Sequence, residues 1–131
     1  MSGYVLDASV AVTALTAPGS PAAGLLSGDD EVFQVPSIFD AEVLSALRGL
    51  VRGGKFDGAA AAELIPDLMV LPVDRWHMAP LLPRMWELRE NLTPYDAAYV
   101  ALAELTGAIL VTGDERITAS PGARCAIQVI K

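Results

Sequence analysis

The sequence predicts an α/β fold in which a parallel sheet is covered by helices on both faces. Short apolar runs alternate along the chain with segments of helical periodicity, and most of these runs lead directly into a helix. A length of 131 residues fits one domain, and a composition of 53% apolar and 19% charged residues fits a chain with a substantial core. We therefore expect residues 1–131 to form a single domain.

The first half of the chain contains two strand-to-helix units and a further helix. Tyr4–Leu6 is the first predicted strand and ends at Asp7, and Ser9 is a candidate N-cap for a helix that continues to Pro18. The other elements predicted in this half are a strand at 32–35, a helix at 39–50 and a helix at 58–68.

The middle of the chain is harder to interpret because prolines interrupt it. Residues 70–73 are expected to form a strand near an edge of the sheet, since Pro72 cannot donate a hydrogen bond to a neighbouring strand. Residues 76–90 repeat apolar side chains at helical spacing, but Pro80 and Pro83 interrupt the pattern. This predicts either two helices or one helix that begins late.

The signals are clearest from Thr93 onward. Thr93 is placed as an N-cap, Pro94 occupies the first helical position, Asp96 the third, and Gly107 suits the end of the helix. Two further strands are predicted at 108–111 and 125–130.

Four carboxylates occupy equivalent positions in these units. Asp7 and Asp114 directly follow predicted strands, whereas Glu42 and Asp96 lie in the first turn or so of predicted helices. In a parallel sheet these positions share the edge at the carboxyl ends of the strands, so the four acids are expected to face one cleft. Their mutual repulsion would require neutralisation, and an all-oxygen ligand set suits Mg²⁺ or Mn²⁺ better than zinc. Such ions would support hydrolysis of a nucleic-acid backbone.

Each acid also has an ordinary structural interpretation. Asp96 would favour the dipole of its helix, and Asp114 fits a turn. Glu42 borders an apolar helical stripe, which predicts partial burial and a need for a polar partner. Asp7 is the hardest to explain structurally, because an Asp that ends a buried strand is desolvated unless it has a counter-charge or hydrogen bonds.

Charge and cysteine content restrict the remaining possibilities. The net charge of −7 repels RNA at long range, so nucleic-acid binding would depend on bound cations. Cys125 is the only cysteine, which excludes an internal disulfide. No apolar run approaches the roughly 18 residues of a membrane helix, and Met1–Leu6 carries no basic segment before an apolar one. A cytoplasmic protein without membrane contact is expected.

The segments around the four acids resemble the successive motifs of PIN-domain nucleases, most closely the VapC-type toxins of toxin–antitoxin pairs. These motifs are YVLDAS at 4–9, AEVLSAL at 41–47, LTPYDAAYVALAE at 92–104 and LVTGDER at 110–116. The resemblance implies a PIN-like three-layer α/β/α sandwich with about five parallel strands, and a metal-dependent endoribonuclease that cuts RNA. It also implies homodimers that bind a VapB-type antitoxin.

The same resemblance suggests residues that support the site. Ser9 and Thr112 resemble hydroxyl positions that assist the acids, although Ser9 is equally a candidate helix cap. Arg89 and Arg116 are the candidates for contact with an RNA phosphate or with an acid. Some family members carry a further acid a few residues beyond the fourth, and Ile117 stands in that region here, so one or two metal ions remain possible.

Other functions fit the sequence less well. An aspartyl phosphatase would resemble Asp-x-Asp at the first strand, but Ser9 takes the second position. A phosphoacceptor signalling domain needs a lysine near a later strand, and the only lysines, Lys55 and Lys131, are not suitably placed. A PIN-like domain that binds RNA or protein partners without cleavage is the alternative that stays open.

Two further features have simple expectations. His77 has no second His or Cys at ligand spacing, so a surface or interface role is expected. The apolar side chains of residues 76–86 are expected to belong to the core, with a dimer contact or an antitoxin groove as alternatives.

Overall fold

The computed structural model describes residues 3–28 and 30–131, which form a five-stranded parallel sheet flanked by helices. The strand order is β3-β2-β1-β4-β5, and every neighbouring pair is parallel. The strands are β1 (Tyr4–Leu6), β2 (Phe33–Pro36), β3 (Asp74–Trp76), β4 (Ile109–Thr112) and β5 (Ile127–Val129). The predicted α/β class and strand number are confirmed. Met1 and Ser2, part of the N-terminal segment considered above, lie outside the described residues.

The helices pack as two groups around this sheet. Helix α1 contacts α2, α3 and α4, whereas α6 contacts α5 and the strands β1, β2 and β4. The helices are α1 (Ala8–Thr16), α2 (Pro21–Leu26), α3 (Phe39–Arg52), α4 (Gly58–Met69), α5 (Leu82–Glu87) and α6 (Pro94–Thr106), with 3-10 helices at Ala79–Leu81 and Glu115–Ala119. None of the helices within 3–28 and 30–131 has the length and apolarity needed to cross a bilayer.

The register of the two central strands brings two acid-bearing ends together. Leu6 of β1 pairs with Val111 of β4, and the Asp7 N–H donates to the Val111 carbonyl at 2.9 Å. Leu6 and Val111 are fully buried, because helices cover both faces of the centre of a parallel sheet. Asp7 and Asp114 therefore leave the core side by side.

The predicted strand at 70–73 is wrong. Helix α4 continues to Met69 with Val70 as its C-cap, and the strand begins only at Asp74. Val70 is 78% exposed, so the apolar run that suggested a strand is not a core segment. Strand β3 consists instead of exposed residues at the edge of the sheet, as Pro72 had indicated for this region.

The segment 76–90 contains two consecutive helical elements, as one of the two predicted alternatives had it, and they begin only at Ala79. Trp76 belongs to β3, and the helical part comprises the 3-10 helix Ala79–Leu81, which contains Pro80, followed by α5. Its apolar side chains divide between two environments. Leu81 and Met85 are buried as expected. The expectation of a core position is wrong for Trp76, Leu82 and Trp86, which are 36%, 52% and 68% exposed.

Two helix starts differ from the sequence prediction. Helix α1 begins at Ala8 with Asp7 in the N-cap position, so Ser9 is inside the helix and is not its cap. Helix α2 was not predicted, although Ser20 caps it and Pro21 stands at its first position. Its six residues are too few to produce a helical apolar pattern.

Helix α6 is confirmed in detail. Thr93 is the N-cap and its hydroxyl accepts the Asp96 N–H, Pro94 is the first residue, and Gly107 ends the helix with a left-handed φ of 71°. Such a φ favours glycine, because it carries no Cβ. Strand β4 begins one residue later than predicted, and β5 is confined to Ile127–Val129.

Candidate active site

Asp7 is held at the end of β1 by two hydroxyl groups. Thr112 Oγ1 donates to Asp7 Oδ2 at 2.6 Å, and Ser9 Oγ donates to the same oxygen at 3.2 Å. Among the described residues no hydrogen bond reaches Oδ1 of this carboxylate. The two hydroxyls that resembled supporting residues thus contact the first acid and leave one of its oxygens for another ligand.

The same hydroxyls also bind the segment that carries the fourth acid. Ser9 Oγ accepts the Gly113 N–H at 3.0 Å, and Thr112 Oγ1 accepts the Asp114 N–H at 3.0 Å. A Cβ at position 113 would lie 3.3 Å from Ser9 Oγ, a tight contact that a glycine avoids. The ends of β1 and β4 therefore form one hydrogen-bonded unit.

Glu42 is bound by a tyrosine that the sequence analysis did not single out. Tyr99 Oη donates to Glu42 Oε1 at 2.5 Å, and the Tyr99 side chain is almost completely buried. Burial raises the pKa of Glu42, the Tyr99 hydrogen bond opposes that rise, and the charges of Asp7 and Asp96 add to it. Burial and the same glutamate raise the pKa of Tyr99, so its hydroxyl stays a donor. Tyr99 follows Asp96 by three residues in α6, a spacing that places both on one helix face and could have identified it.

Asp96 lies in the first turn of α6, half-buried beside the other acids. Burial raises its pKa, and the charges of Asp7 and Asp114 raise it further, whereas Arg116 and Thr93 act in the opposite direction. The Thr93 hydroxyl accepts the Asp96 N–H at 3.2 Å and also interacts with the Asp96 carboxylate, which lowers the pKa of that group.

Asp114 is paired with a guanidinium group. Arg116 Nε and Nη2 donate to Oδ1 and Oδ2 at 2.9 and 2.7 Å, and the Arg116 N–H donates to Oδ1 at 2.9 Å. These bonds hold the pKa of Asp114 below its usual value. The Arg116 side chain is 90% exposed, so its attachment to the protein is mainly this ion pair. Of the two contacts expected for Arg116, the structure has the one with an acid.

The four acids share one edge of the sheet and influence one another electrostatically. Asp7 and Asp96 each raise the pKa of Glu42, and Asp7 and Asp114 each raise that of Asp96. Within 3–28 and 30–131, no three carboxylate, imidazole or thiol side chains stand close enough together to hold a cation as they are. The donor set nonetheless fits Mg²⁺ or Mn²⁺, because all four groups offer oxygen and their mutual repulsion would be relieved by a divalent charge.

Arg89 lies outside this network. Its guanidinium stacks over the Trp86 ring at 4.5 Å, donates to the Trp86 carbonyl at 2.9 Å and approaches Glu90 at 3.8 Å. None of the contacts in the described part of the chain joins it to the four acids. His77 is exposed, consistent with the surface role expected for it.

Comparison with known proteins shows the family. The PIN domain family model matches residues 4–121. The VapC ribonuclease Mb0985 of Mycobacterium bovis is 38% identical over 126 residues, which are 96% of this chain and 97% of that protein. The chain belongs to the VapC family of PIN-domain ribonucleases. Ribonuclease VapC1 of Mycobacterium tuberculosis is 37% identical to this VapC chain over the full length of both proteins.

The fold agrees with solved VapC structures. VapBC2 from Rickettsia felis, solved with a DNA fragment from its promoter, contains a chain that superimposes with a TM-score of 0.72 at 16% identity. The superposition covers 98% of each chain. The PIN-like α/β/α architecture is therefore confirmed.

Proposed function

We propose that this VapC protein is a Mg²⁺- or Mn²⁺-dependent endoribonuclease that hydrolyses RNA phosphodiester bonds and acts as the toxin of a VapBC-type pair. The observation that supports this proposal most strongly is the electrostatic coupling of Asp7, Glu42, Asp96 and Asp114 at the carboxyl ends of the strands, in a chain of the VapC family. The domain responsible is taken to be the whole chain, 1–131.

The four acids would hold the metal, and each reaches the site in a different way. Asp7 and Asp114 come from the ends of the two central strands, and Glu42 and Asp96 from helices α3 and α6. A divalent ion bound by these acids would supply the activation of water at neutral pH and the neutralisation of charge on a phosphate group.

The chain's own residues prepare the carboxylates for this role. Ser9 and Thr112 hold Asp7 through Oδ2 and leave Oδ1 available, and Tyr99 fixes Glu42 by a bond that favours the charged carboxylate. A charged, oriented carboxylate binds a cation without first releasing a proton or changing its rotamer. These three residues are therefore positioning residues.

RNA binding must overcome the net charge of −7. Arg116 borders Asp114 and Asp96, so we expect it to contact a phosphate beside the site. Arg89 is a more distant candidate, whose guanidinium already lies over Trp86 and offers a flat cationic surface for a base.

A VapB-type antitoxin and a second copy of the chain are the protein partners we propose. Leu82 and Trp86 expose large apolar side chains, and Arg89 stacks on Trp86, a combination that is typical of protein contacts. An antitoxin that places a basic side chain among the four acids would replace the charge of the metal. The half-buried Cys125 thiol, whose pKa burial raises, is compatible with the cytoplasm, where RNA is available.

The alternative is a PIN-like domain that binds RNA or protein without cutting. A non-cutting domain has no need for mutually repelling acids, since such groups destabilise a fold unless they have a function. Retention of all four favours the nuclease.

The deciding experiment incubates purified, antitoxin-free protein with labelled cellular RNA, with and without Mg²⁺ or Mn²⁺. Asp7→Asn and Asp96→Asn should abolish metal-dependent cuts, while Asp67→Asn, a change of an exposed acid on α4, should leave them intact. Cleavage without metal would contradict the mechanism. Intact RNA with folded, metal-binding protein would favour the non-cutting alternative.

A further inference from the structure

A cavity of about 290 Å³ opens beside two of the four acids. It lies between the turn that precedes α6 and the 3-10 helix Glu115–Ala119, and Asp96, Asp114 and Arg116 form the side nearest the site. We call the rest of its wall the base cleft, which consists of Asn91, Leu92, Thr93, Ile117 and Ser120. A group in this cleft would be next to a phosphate held at the acids.

The base cleft combines an apolar floor with a polar rim. Leu92 and Ile117 are 7% and 2% exposed and supply the floor, whereas Asn91, Thr93 and Ser120 carry polar groups. A nucleobase has the matching character, with apolar faces and a polar edge. A phosphate does not match, because two carboxylates border the cleft and Arg116 is already paired with one of them.

The polar rim retains hydrogen-bonding capacity. Asn91 Nδ2 donates to the Pro121 carbonyl at 3.3 Å, a bond that fixes the amide and leaves its carbonyl oxygen as an acceptor. Ser120 Oγ donates to the Arg116 carbonyl at 3.4 Å, which is long for a hydroxyl bond and easily exchanged. An amide oxygen and a hydroxyl together can read donors and acceptors on the edge of a base.

We propose that the base cleft receives one unpaired nucleobase beside the scissile phosphate, and that Asn91 and Ser120 determine which base is preferred there. The proposal rests on the ribonuclease function proposed above and adds a specificity site to it. Ribose and phosphate remain outside, towards Arg116.

Sequencing of cleavage ends from a random RNA pool tests this assignment. Asn91→Ala and Ser120→Ala should each weaken the base preference at one position flanking the cut by roughly 2- to 10-fold, the usual effect of one lost hydrogen bond. Ser120→Leu should fill the cleft and lower kcat/KM without changing Mn²⁺ affinity. Thr118→Ala is the matched control, since Thr118 lies on the same 3-10 helix, bonds to Glu115 and does not line the cleft.

A second measurement does not require cleavage. Asn91 is the only asparagine of the chain, so its side-chain amide signal is readily assigned by NMR. Titration with the four nucleoside 5′-monophosphates should shift this signal, more for one base than for the others, and ribose 5-phosphate should not. Ser120→Leu should suppress the shift.

The outcomes separate the two proposals. Metal-dependent cuts with an unchanged base preference in all three cleft variants would overturn the base cleft and leave the nuclease assignment intact. Equal shifts with ribose 5-phosphate would also overturn it. If the unaltered protein cut no RNA but the Asn91 signal responded to one base, the cleft would stand and the nuclease proposal would fail.

Discussion

Arg116 occupies both carboxylate oxygens of Asp114, so a cation and this guanidinium compete for the same acid. A cation can displace the guanidinium from Asp114, because the arginine side chain is almost entirely exposed and can turn towards solvent or RNA. In the absence of metal the ion pair neutralises part of the repulsion among the acids, as its lowering effect on the pKa of Asp96 indicates.

Replacing Arg116 should therefore strengthen metal binding. Arg116→Gln is expected to bind Mn²⁺ several-fold more tightly, since it removes a competing unit charge from the edge of the site. Isothermal titration calorimetry would measure the dissociation constant, and filter binding with uncleaved RNA should show weaker RNA affinity in the same variant.

Two controls separate competition from a general charge effect. Arg124→Gln removes the same unit charge at an exposed residue beside Glu104 and should leave Mn²⁺ affinity almost unchanged. Arg116→Lys keeps the charge but loses the two-pronged contact, so it should fall between Arg116→Gln and the unaltered protein. Equal affinity in all of these proteins would contradict the competition.

Tyr99 should support Glu42 energetically as well as geometrically. Tyr99→Phe is expected to lower the free energy of unfolding by about 1–3 kcal/mol, because a half-buried carboxylate loses a hydrogen bond. Urea denaturation measures this, with Tyr95→Phe as control on the same helix, where the side chain is 59% exposed. If Tyr99→Phe lowered the free energy of unfolding just as much in a Glu42→Ala background, where the acceptor oxygen is gone, the hydroxyl would act elsewhere.

Among the individual site residues, the sequence predicted Ser9 and Thr112, which belong to local motifs around an acid, and missed Tyr99, whose contact is with a distant segment. Ser9 and Thr112 lie within two residues of an acid, so the motif resemblance included them. The contact between Tyr99 and Glu42 joins residues 57 apart in sequence, and they meet because α6 packs on β2, the strand that precedes α3. A buried tyrosine in an apolar helix is otherwise typical of a core residue.

At the scale of whole elements, prediction succeeded where start and stop signals agreed with periodicity. Helix α6 has an N-cap, a proline at its first position and a left-handed glycine at its end, and all three were readable. The run 70–73 had only hydrophobicity, which does not distinguish an exposed helix end from a buried strand. Edge strand β3 lacks a buried face, so its sequence carries no period-2 signal.

An ion pair between α5 and α6 makes the free energy of unfolding depend on pH in the acidic range. Arg84 Nε and Nη2 bind the Glu104 carboxylate at 2.7 and 3.2 Å, and Arg84 Nη2 also donates to the Gly122 carbonyl. Burial tends to raise the pKa of Glu104, but the bonds from Arg84 and the Arg124 N–H outweigh it and lower that pKa. Charged Glu104 is therefore more stable in the folded protein than in the unfolded chain.

The sign of the pH effect follows from this lowered pKa. The stabilisation is fully present above the unfolded pKa of about 4.3 and is lost as pH falls through the lower folded value. Glu104→Gln should cost about 1–2 kcal/mol at pH 7, and the difference should shrink below about pH 4 in urea titrations. Glu87→Gln is the control, since Glu87 pairs with the same arginine but is 63% exposed and should cost less than about 0.5 kcal/mol. A pH-independent difference would mean that Glu104 contributes only by packing.

Over the whole molecule, the acidic edge and the net charge of −7 both oppose the compact state. Apolar burial in the two central strands offsets this repulsion. Their residues Val5, Leu6, Leu110 and Val111 are fully buried. The class, sheet and position of the four acids could be predicted because they follow from alternating strands and helices. The arrangement of individual carboxylates could not, since it depends on contacts between distant elements.

A trade between stability and metal binding is the consequence expected for the entire domain. The pKa of Asp96 is raised by burial and by its acidic neighbours, so at neutral pH its charge destabilises the folded state. Asp96→Asn should then raise Tm by a few degrees without metal, while the backbone cap at Thr93 is retained. Saturating Mn²⁺ should raise Tm of the unaltered protein and have much less effect on the variant. Calorimetry with and without Mn²⁺ measures both Tm effects. If Asp96→Asn were less stable than the unaltered protein in metal-free buffer, this carboxylate would stabilise the fold instead of serving the ion.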